Sequence, residues 1–316
     1  MKRKLFFFTA LTLMLACSCT GGRYETFSGY AQGGTYRVKV NMQGVKCSPE
    51  TIAAAIDSLL EGIDFSISGY NRNSLLSRRN AGEEIVPDRY FSDLLELSAK
   101  YKELSGGAFD VYSGPLFDLW GFGFTSDSLP SDEAIERALA DCKAGKVLNF
   151  NAIAQGYSCD IVAEYLYSIG VKDMLVDIGE IFCDGRNPSG KGWSIGVDNP
   201  VDGNDSPGSD LRGIWRSNGG AQGVVTSGNY RKFYIKDGKK YAHTIDPRSG
   251  RPVEHGLLSA TVVAPTAAEA DALATACMVL GPQGARELVE SLDGVEAYLI
   301  SSDGVWTSGG FNLEQQ

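Results

Sequence analysis

The segment TAAEADALATA at residues 266–276 predicts the most sharply defined element of this 316-residue chain. Thr266 and Glu269 form the T-x-x-E pattern of a capping box, which predicts a helix that begins there. On such a helix Asp271 and Thr275 lie one turn apart on a single face. A carboxylate and a hydroxyl are hard oxygen donors that suit Mg²⁺, whose other positions are usually filled by phosphate and water. This face could therefore form a magnesium site for a substrate that carries phosphate; the alternative, which the residues alone favour, is a capped helix with a solvated face.

The segment TSGNYRKFYIKDGKKYAHTID at residues 226–246 predicts a β-hairpin that carries an isolated histidine. RKFYIK has strand character, Asp237-Gly238 is a common two-residue turn, and His243 lies on the returning strand. A histidine here can serve as a general base, or it can be a strand residue hydrogen-bonded to its neighbours. The residues alone favour neither role.

Helices and strands are interspersed along the rest of the chain, which indicates a mixed α and β class. Strands are predicted at TYRVKVNM, MLVDI, WSIGV and VVTSG and over Val295–Ser301. Helices are predicted from Ser48, over Asp88–Leu104, from Ser131, and over YSCDIVAEYLYSIG after a loop at 149–156. Region 199–222, rich in Gly, Asp, Asn, Ser and Pro, is predicted to be a long loop and a candidate insertion or lid.

Residues 1–19 predict a lipoprotein export signal. A basic start at Lys2–Lys4 precedes the apolar run LFFFTALTLML, which is shorter than the roughly 20 apolar residues of a spanning helix. Cys17, after Ala16, is the predicted lipidation site and Cys19 the second candidate; the alternative is an ordinary cleaved signal. The mature protein is expected to be exported and lipid-anchored to the membrane, facing the periplasm or the cell exterior.

Charge and motif content argue against several function classes. The formal net charge of −10 becomes −13 without the three basic signal residues, which argues against nucleic acid as a partner. The body of the chain has no CxxC pair, which argues against a zinc site and a dense disulfide framework. GRNPSGKG at 185–192 lacks the Ser or Thr of a P-loop and predicts a turn. No G-x-G-x-x-G segment supports a Rossmann site, and no G-x-S-x-G elbow supports a serine hydrolase.

Eight motifs, in order along the chain, resemble those of the ApbE-type FAD:protein FMN transferases. They are GGTYRVKV at 33–40, IDFSISGYNRNSLLSRRN at 63–80, GGAFDVYSGPLFDLWGFG at 106–123, NAIAQGYSCD at 151–160, VDIGEI at 176–181, TSGNYRKF at 226–233, HTIDPRSGRP at 243–252 and ADALATA at 270–276. The resemblance implies one transferase domain over residues 24–316. It also implies an α+β fold of mixed sheets with flanking helices, in which two intimately joined substructures hold the ligand in a cleft between them.

The same resemblance implies a reaction and a set of site residues. FAD would be cleaved at its pyrophosphate, and its FMN part attached to a Thr or Ser of a partner redox protein, with AMP released. Mg²⁺ is implied on Asp271, Thr275 and the backbone carbonyl of Ala154, and His243 matches a histidine needed for transfer. The implied flavin contacts are Tyr70, Asp110, Trp120, Gln155, Asp177, Glu180, Thr226, Ser227 and Gly228.

The chain departs from the family pattern at three places. Gln155 stands where Lys is common, the segment Asp177–Glu180 is one glycine short, and Ala31-Gln32 replaces a common Met. The first two changes remove a positive charge and a close backbone approach near the ligand. Two alternatives therefore stay open: an FAD pyrophosphatase, in which water replaces the acceptor hydroxyl, and a non-catalytic FAD-binding lipoprotein.

Overall fold

The computed structural model describes residues 23–122, 129–204, 206, 208–230, 233–236 and 238–315. The strands are β1 Tyr24–Ala31, β2 Gly34–Asn41, β3 Met174–Asp177, β4 Ile181–Asp184, β5 Ser194–Asp198, β6 Leu211–Arg216, β7 Gln222–Gly228, β8 Phe233–Lys236, β9 Lys239–Ala242, β10 Ile245–Asp246, β11 Arg251–Pro252, β12 Leu257–Ala264, β13 Glu296–Ser301, β14 Gly304–Thr307 and β15 Leu313–Gln315. The helices are α1 Pro49–Ile67, α2 Leu75–Asn80, α3 Arg89–Leu104, α4 Gly114–Leu119, α5 Asp132–Lys143, α6 Ala154–Ser168 and α7 Ala267–Glu290.

A large antiparallel sheet forms the centre of the molecule, with the strand order β1-β2-β3-β4-β7-β12-β13-β14. One face of β12 and β13, including Ala260 and Val262, packs with α7 into the main core. The opposite face, including Val263 and Tyr298, packs on the smaller sheet β15-β6-β5. Burial on both faces explains why β12 is apolar along nearly its whole length.

Local capping signals set the start of four helices. The side chains of Ser48, Asp88, Ser131 and Thr266 each accept a hydrogen bond from the backbone N–H three residues on. Such caps satisfy N–H groups that have no partner within the helix. All four predicted helix starts are therefore confirmed, including the helix that carries Asp271.

Two predicted boundaries were wrong. Helix α6 begins at Ala154, so residues 154–156 of the predicted loop form its first turn. Region 199–222 is not one loop, because it contains strand β6, which pairs with both β5 and β15. Trp215 in β6 is 2% exposed, and its burial in the small core outweighs the polar composition around it.

Other predictions divide into those that the structure bears out and those that it does not reach. GRNPSGKG runs into strand β5 rather than into a helix, as expected for a turn. The export signal with Cys17, and residues 231, 232 and 237 of the hairpin, lie outside the described residues. Among the described residues, no helix is both long enough and apolar enough to cross a membrane.

Candidate active site

A cleft of about 460 Å³ opens where helices α6 and α7, the end of β7 and the segment after β9 meet. Most of the residues predicted from the sequence line it, although they come from widely separated parts of the chain. They are Tyr70, Asp110, Gln155, Glu180, Thr226, Ser227, Gly228, His243, Asp271 and Thr275. The structure thus brings Asp271, Thr275, His243 and the glycine-containing end of β7 into one cavity.

Three predicted residues are not among those that line the cleft. Trp120 is 5% exposed, donates from Nε1 to the carbonyl of Gly250 at 2.8 Å, and packs in a small core. Asp177 ends β3, where its Oδ1 accepts from the N–H of Gly179 at 3.2 Å. Ala154 begins α6. Because its side chain is a methyl group, only its backbone carbonyl could act as a metal ligand.

The crossing of α6 and α7 places Asp271 at the cleft. Gly156 lies in the first turn of α6, and a Cβ added there would come within 2.3 Å of the carbonyl oxygen of Ala267. Only glycine permits this approach. The N–H of Gly156 then donates to Oδ2 of Asp271 at 3.0 Å, so the close crossing also orients the carboxylate.

Asp271 is an electrostatically costly residue in this position. It is 5% exposed, and no lysine or arginine of the described part of the chain forms an ion pair with it. Burial, with a further contribution from nearby Asp160, raises the pKa of Asp271. A buried carboxylate of this kind is stabilised when a cation binds to it.

The available donors fit a hard divalent cation. Asp271 offers a carboxylate and Thr275 a hydroxyl on the same helix face, and both line the cleft. Ala154 does not line it, and its backbone carbonyl accepts a hydrogen bond from Ser158. No group of three or more His, Cys, Asp or Glu side chains that could hold a metal ion occurs among the described residues. Mg²⁺ is commonly held by one or two carboxylates together with water and phosphate oxygens, and this donor set agrees with that pattern.

The three departures from the family pattern all touch the start of α6. The amide of Gln155 lies over Gly179, where an added Cβ would be 2.6 Å from Nε2 of Gln155. Gln32, at the tip of the β1–β2 hairpin, donates to Oγ of Ser158. Ser158 in turn donates to the carbonyl of Ala154 at 2.7 Å. The hairpin tip is therefore linked to the carbonyl that is a predicted metal ligand.

His243 lies on the cleft wall directly after β9. Its ring meets the ring of Phe122 edge to face, with centroids 6.3 Å apart. The next residue, Thr244, is buried and donates from Oγ1 to Oδ1 of Asn229 at 2.6 Å. This bond fixes the backbone on one side of the histidine, and it joins the segment after β9 to the end of β7.

Other lining residues have structural partners of their own. Asp110 forms an ion pair with Lys102 at 2.7 Å, and the hydroxyl of Thr226 is within 2.8 Å of that of Thr261. Tyr70 is 72% exposed at the cleft, with its hydroxyl accepting from Nδ2 of Asn151 at 3.4 Å. An exposed aromatic side chain at a cleft can cover a planar ligand.

Sequence reasoning missed the role of Asp160. Its two oxygens accept from the N–H groups of Ala267 and Ala268, both at 2.8 Å, so it caps the helix that carries the predicted metal ligands. Burial raises the pKa of Asp160 to about 7 although the two N–H groups lower it. Asp160 lies about one hundred residues from its partners, and its only sequence signal was its place at the end of NAIAQGYSCD.

The chain matches known flavin transferases over most of its length. The model of the ApbE family matches residues 33–299. The FAD:protein FMN transferase of Escherichia coli K12 is 32% identical over 301 residues, covering 87% of this chain and 84% of the relative. The FAD:protein FMN transferase of Vibrio cholerae is 32% identical over 313 residues, covering 92% and 91%.

Solved structures show the same architecture. The flavin transferase ApbE from Vibrio cholerae superposes with a TM-score of 0.78 at 30% identity, covering 91% of this chain and 98% of that one. The apo form of the Pseudomonas stutzeri flavinyl transferase ApbE has a TM-score of 0.79 at 33% identity, covering 91% and 94%. These similarities confirm the predicted α+β class.

Proposed function

This chain belongs to the ApbE family and is a transferase enzyme; on that premise we propose that it is a Mg²⁺-dependent FAD:protein FMN transferase. It cleaves FAD at the pyrophosphate, attaches FMN to a Thr or Ser of a partner redox protein, and releases AMP. The observation that carries this proposal is the shared cleft, in which Asp271 and Thr275 of α7 line the same cavity as His243 and the end of β7.

The proposed step is a displacement at phosphorus. The acceptor hydroxyl oxygen bonds to the phosphorus on the FMN side, the P–O bond to the AMP phosphate breaks, and AMP leaves with the bonding electron pair. His243, on the cleft wall, takes the hydroxyl proton. The backbone of Ser227 and Gly228 borders the same cavity and can hold the phosphate oxygens.

Magnesium held by Asp271, Thr275 and the Ala154 carbonyl would neutralise charge on the pyrophosphate oxygens. Two contacts position the side chains that would hold the ion. The N–H of Gly156 orients the Asp271 carboxylate, and Asp160 caps α7. Four acidic residues line the cleft, namely Asp110, Asp118, Glu180 and Asp271. An anionic substrate therefore gains from a bound cation.

We also propose that the protein is exported and lipid-anchored through Cys17. The support is the basic start and the apolar run within residues 1–19, which are followed by the small residue Ala16 and then Cys17. The predicted transferase domain over residues 24–316 would then act outside the cytoplasm. Labelling of Cys17→Ser with a radioactive fatty acid tests this assignment, because labelling that persists would point to Cys19.

The function is tested by AMP release from FAD by the full-length chain in detergent, with Mg²⁺ or with EDTA. Asp271→Ala and His243→Ala are each expected to lower the rate roughly 100-fold or more. His255→Ala is the matched control, because His255 does not line the cleft. Covalent flavin on an added redox protein is measured by in-gel fluorescence.

The outcomes separate the candidate functions. AMP release that requires Mg²⁺ and accompanies covalent flavin supports the transferase. Release of both AMP and free FMN, with no flavin on protein, indicates the pyrophosphatase instead. Tight FAD binding without AMP, in the presence of several redox proteins, contradicts the proposal and indicates a flavin-binding protein.

A further inference from the structure

Strands β8 and β9 form a two-stranded ribbon that ends at the active-site histidine. The ribbon consists of Phe233–Lys236 and Lys239–Ala242, and within the described residues it pairs with no third strand. Tyr234 and Tyr241 lie opposite each other on its inner face, with ring centroids 5.2 Å apart. Tyr241 also stacks on Trp120 at 6.0 Å. The inner face is thus fixed to the protein behind the cleft.

The outer face of the ribbon is formed by Phe233, Ile235 and Lys240, which alternate with the tyrosines along the two strands. Ile235 is 67% exposed. The ammonium group of Lys240 lies 3.8 Å from the centroid of the Phe233 ring. An exposed aliphatic side chain beside a cation and an aromatic ring is a surface that can contact another chain.

The ribbon is basic in an acidic protein. Residues 233–242 contain three lysines and one acidic residue, Asp237, whereas the chain as a whole has a net charge of −10. The strand register places Lys240 on the outer face, and it pairs Lys236 with Lys239 at the tip of the ribbon on the face of the tyrosines. Lys239 pairs with Glu254 at 2.5 Å and Lys240 with Asp202 at 2.6 Å. These pairs lie at the surface, where they contribute little and can exchange for carboxylates of a partner. When these pairs exchange, the lysines offer positive charge to an acidic segment.

We propose that the outer face of the ribbon, with Lys240 on it and Lys236 and Lys239 at its tip, receives the acceptor protein as an extended acidic segment whose Thr or Ser enters the cleft beside His243. This inference rests on the proposed function, because only a transferase needs a protein at this edge of the cleft. The contact between Lys240 and Asp202 extends the surface to Asp202, which lies between β5 and β6.

The test uses a displayed library of peptides with one fixed Thr and random flanking residues. The library is incubated with FAD, Mg²⁺ and the full-length chain in detergent, and peptides that acquire flavin are selected and sequenced. The variant is Lys236→Glu, Lys239→Glu, Lys240→Glu. Its matched control is Lys46→Glu, Lys143→Glu, Lys172→Glu, which makes the same change in net charge at exposed residues that do not line the cleft. FAD binding by each protein is measured separately by flavin fluorescence.

We expect the natural chain and the control to select peptides rich in Asp and Glu beside Thr. The ribbon variant should bind FAD normally, select these acidic peptides roughly tenfold less, and favour Lys and Arg instead. Selection without acidic preference, or an acidic preference unchanged in the ribbon variant, overturns the docking proposal while the transferase stands. If the natural chain binds FAD and modifies no peptide, and no redox protein either, the proposed function fails and the docking proposal fails with it.

Discussion

Replacement of Gly179 by alanine tests whether the β3–β4 turn and Gln155 act together on the ligand. Gly179 has φ +95°, and an L-residue in such a conformation costs about 1–2 kcal/mol. The added Cβ would also lie 2.6 Å from Nε2 of Gln155, so the amide has to move within the cleft that it lines. We expect Gly179→Ala to lower the free energy of unfolding by about 1–2 kcal/mol and to weaken FAD binding roughly tenfold.

Gly170→Ala separates backbone strain from the displacement of Gln155. Gly170 has φ +90°, and a Cβ there would meet nothing within 4 Å. This control should show a similar loss in urea unfolding with no change in the Kd for FAD, which is measured by flavin fluorescence with Mg²⁺ present. The effect of Gly179→Ala on FAD binding should also shrink in a Gln155→Ala background. The coupling is refuted if Gly179→Ala binds FAD as tightly as the natural chain, or if its penalty is the same in both backgrounds.

Three further predictions concern the helices at the site. Gly156→Ala should lower the free energy of unfolding by about 3 kcal/mol in urea titrations, because the new Cβ meets backbone 2.3 Å away; a loss below 1 kcal/mol would show that α6 and α7 can separate. Asp271→Asn should not lower the free energy of unfolding, since it removes a buried charge. It should weaken Mn²⁺ binding at least tenfold in paramagnetic resonance titrations. Unchanged Mn²⁺ binding would exclude Asp271 as a ligand. Asp160 has its pKa raised to about 7 by burial, so between about pH 4 and 7 the folded state holds a proton that the unfolded state has lost. Its contribution to the free energy of unfolding therefore falls as pH rises through that interval, and Asp160→Asn should flatten the measured pH profile; an unchanged slope would contradict this assignment.

The elements predicted correctly from the sequence are those with local causes. A capping residue such as Ser48 or Thr266 acts on an N–H three residues away, so the signal and its effect lie within one turn of chain. Asp271 and Thr275 follow from the same local geometry, because helical spacing fixes which residues share a face. The shared face of Asp271 and Thr275 therefore follows from the local sequence without any tertiary contact.

The features missed depend on contacts between distant segments. Strand β6 is stabilised by β15, about one hundred residues further along the chain, where Trp215 pairs with Leu313. The first turn of α6 contains Gly156, which permits the close approach of α7. Asp160 likewise caps a helix 107 residues away. No periodicity or capping motif carries such information, since each partner has an ordinary residue type in its own segment.

The three segments that depart from the family pattern are connected to one another through contacts at the start of α6. Gln155 and Gly179 are in direct contact, and Gln32 reaches Ser158 in the next turn of the same helix. Ser158 also donates to the Ala154 carbonyl, so changes at the hairpin tip reach the predicted metal site. Because neighbouring substitutions are not additive, the effect of placing Lys at position 155 alone depends on the shortened turn beside it. A single reversion therefore tests the pair Gln155 and Gly179, and only a joint change of residue and turn length would restore the common pattern.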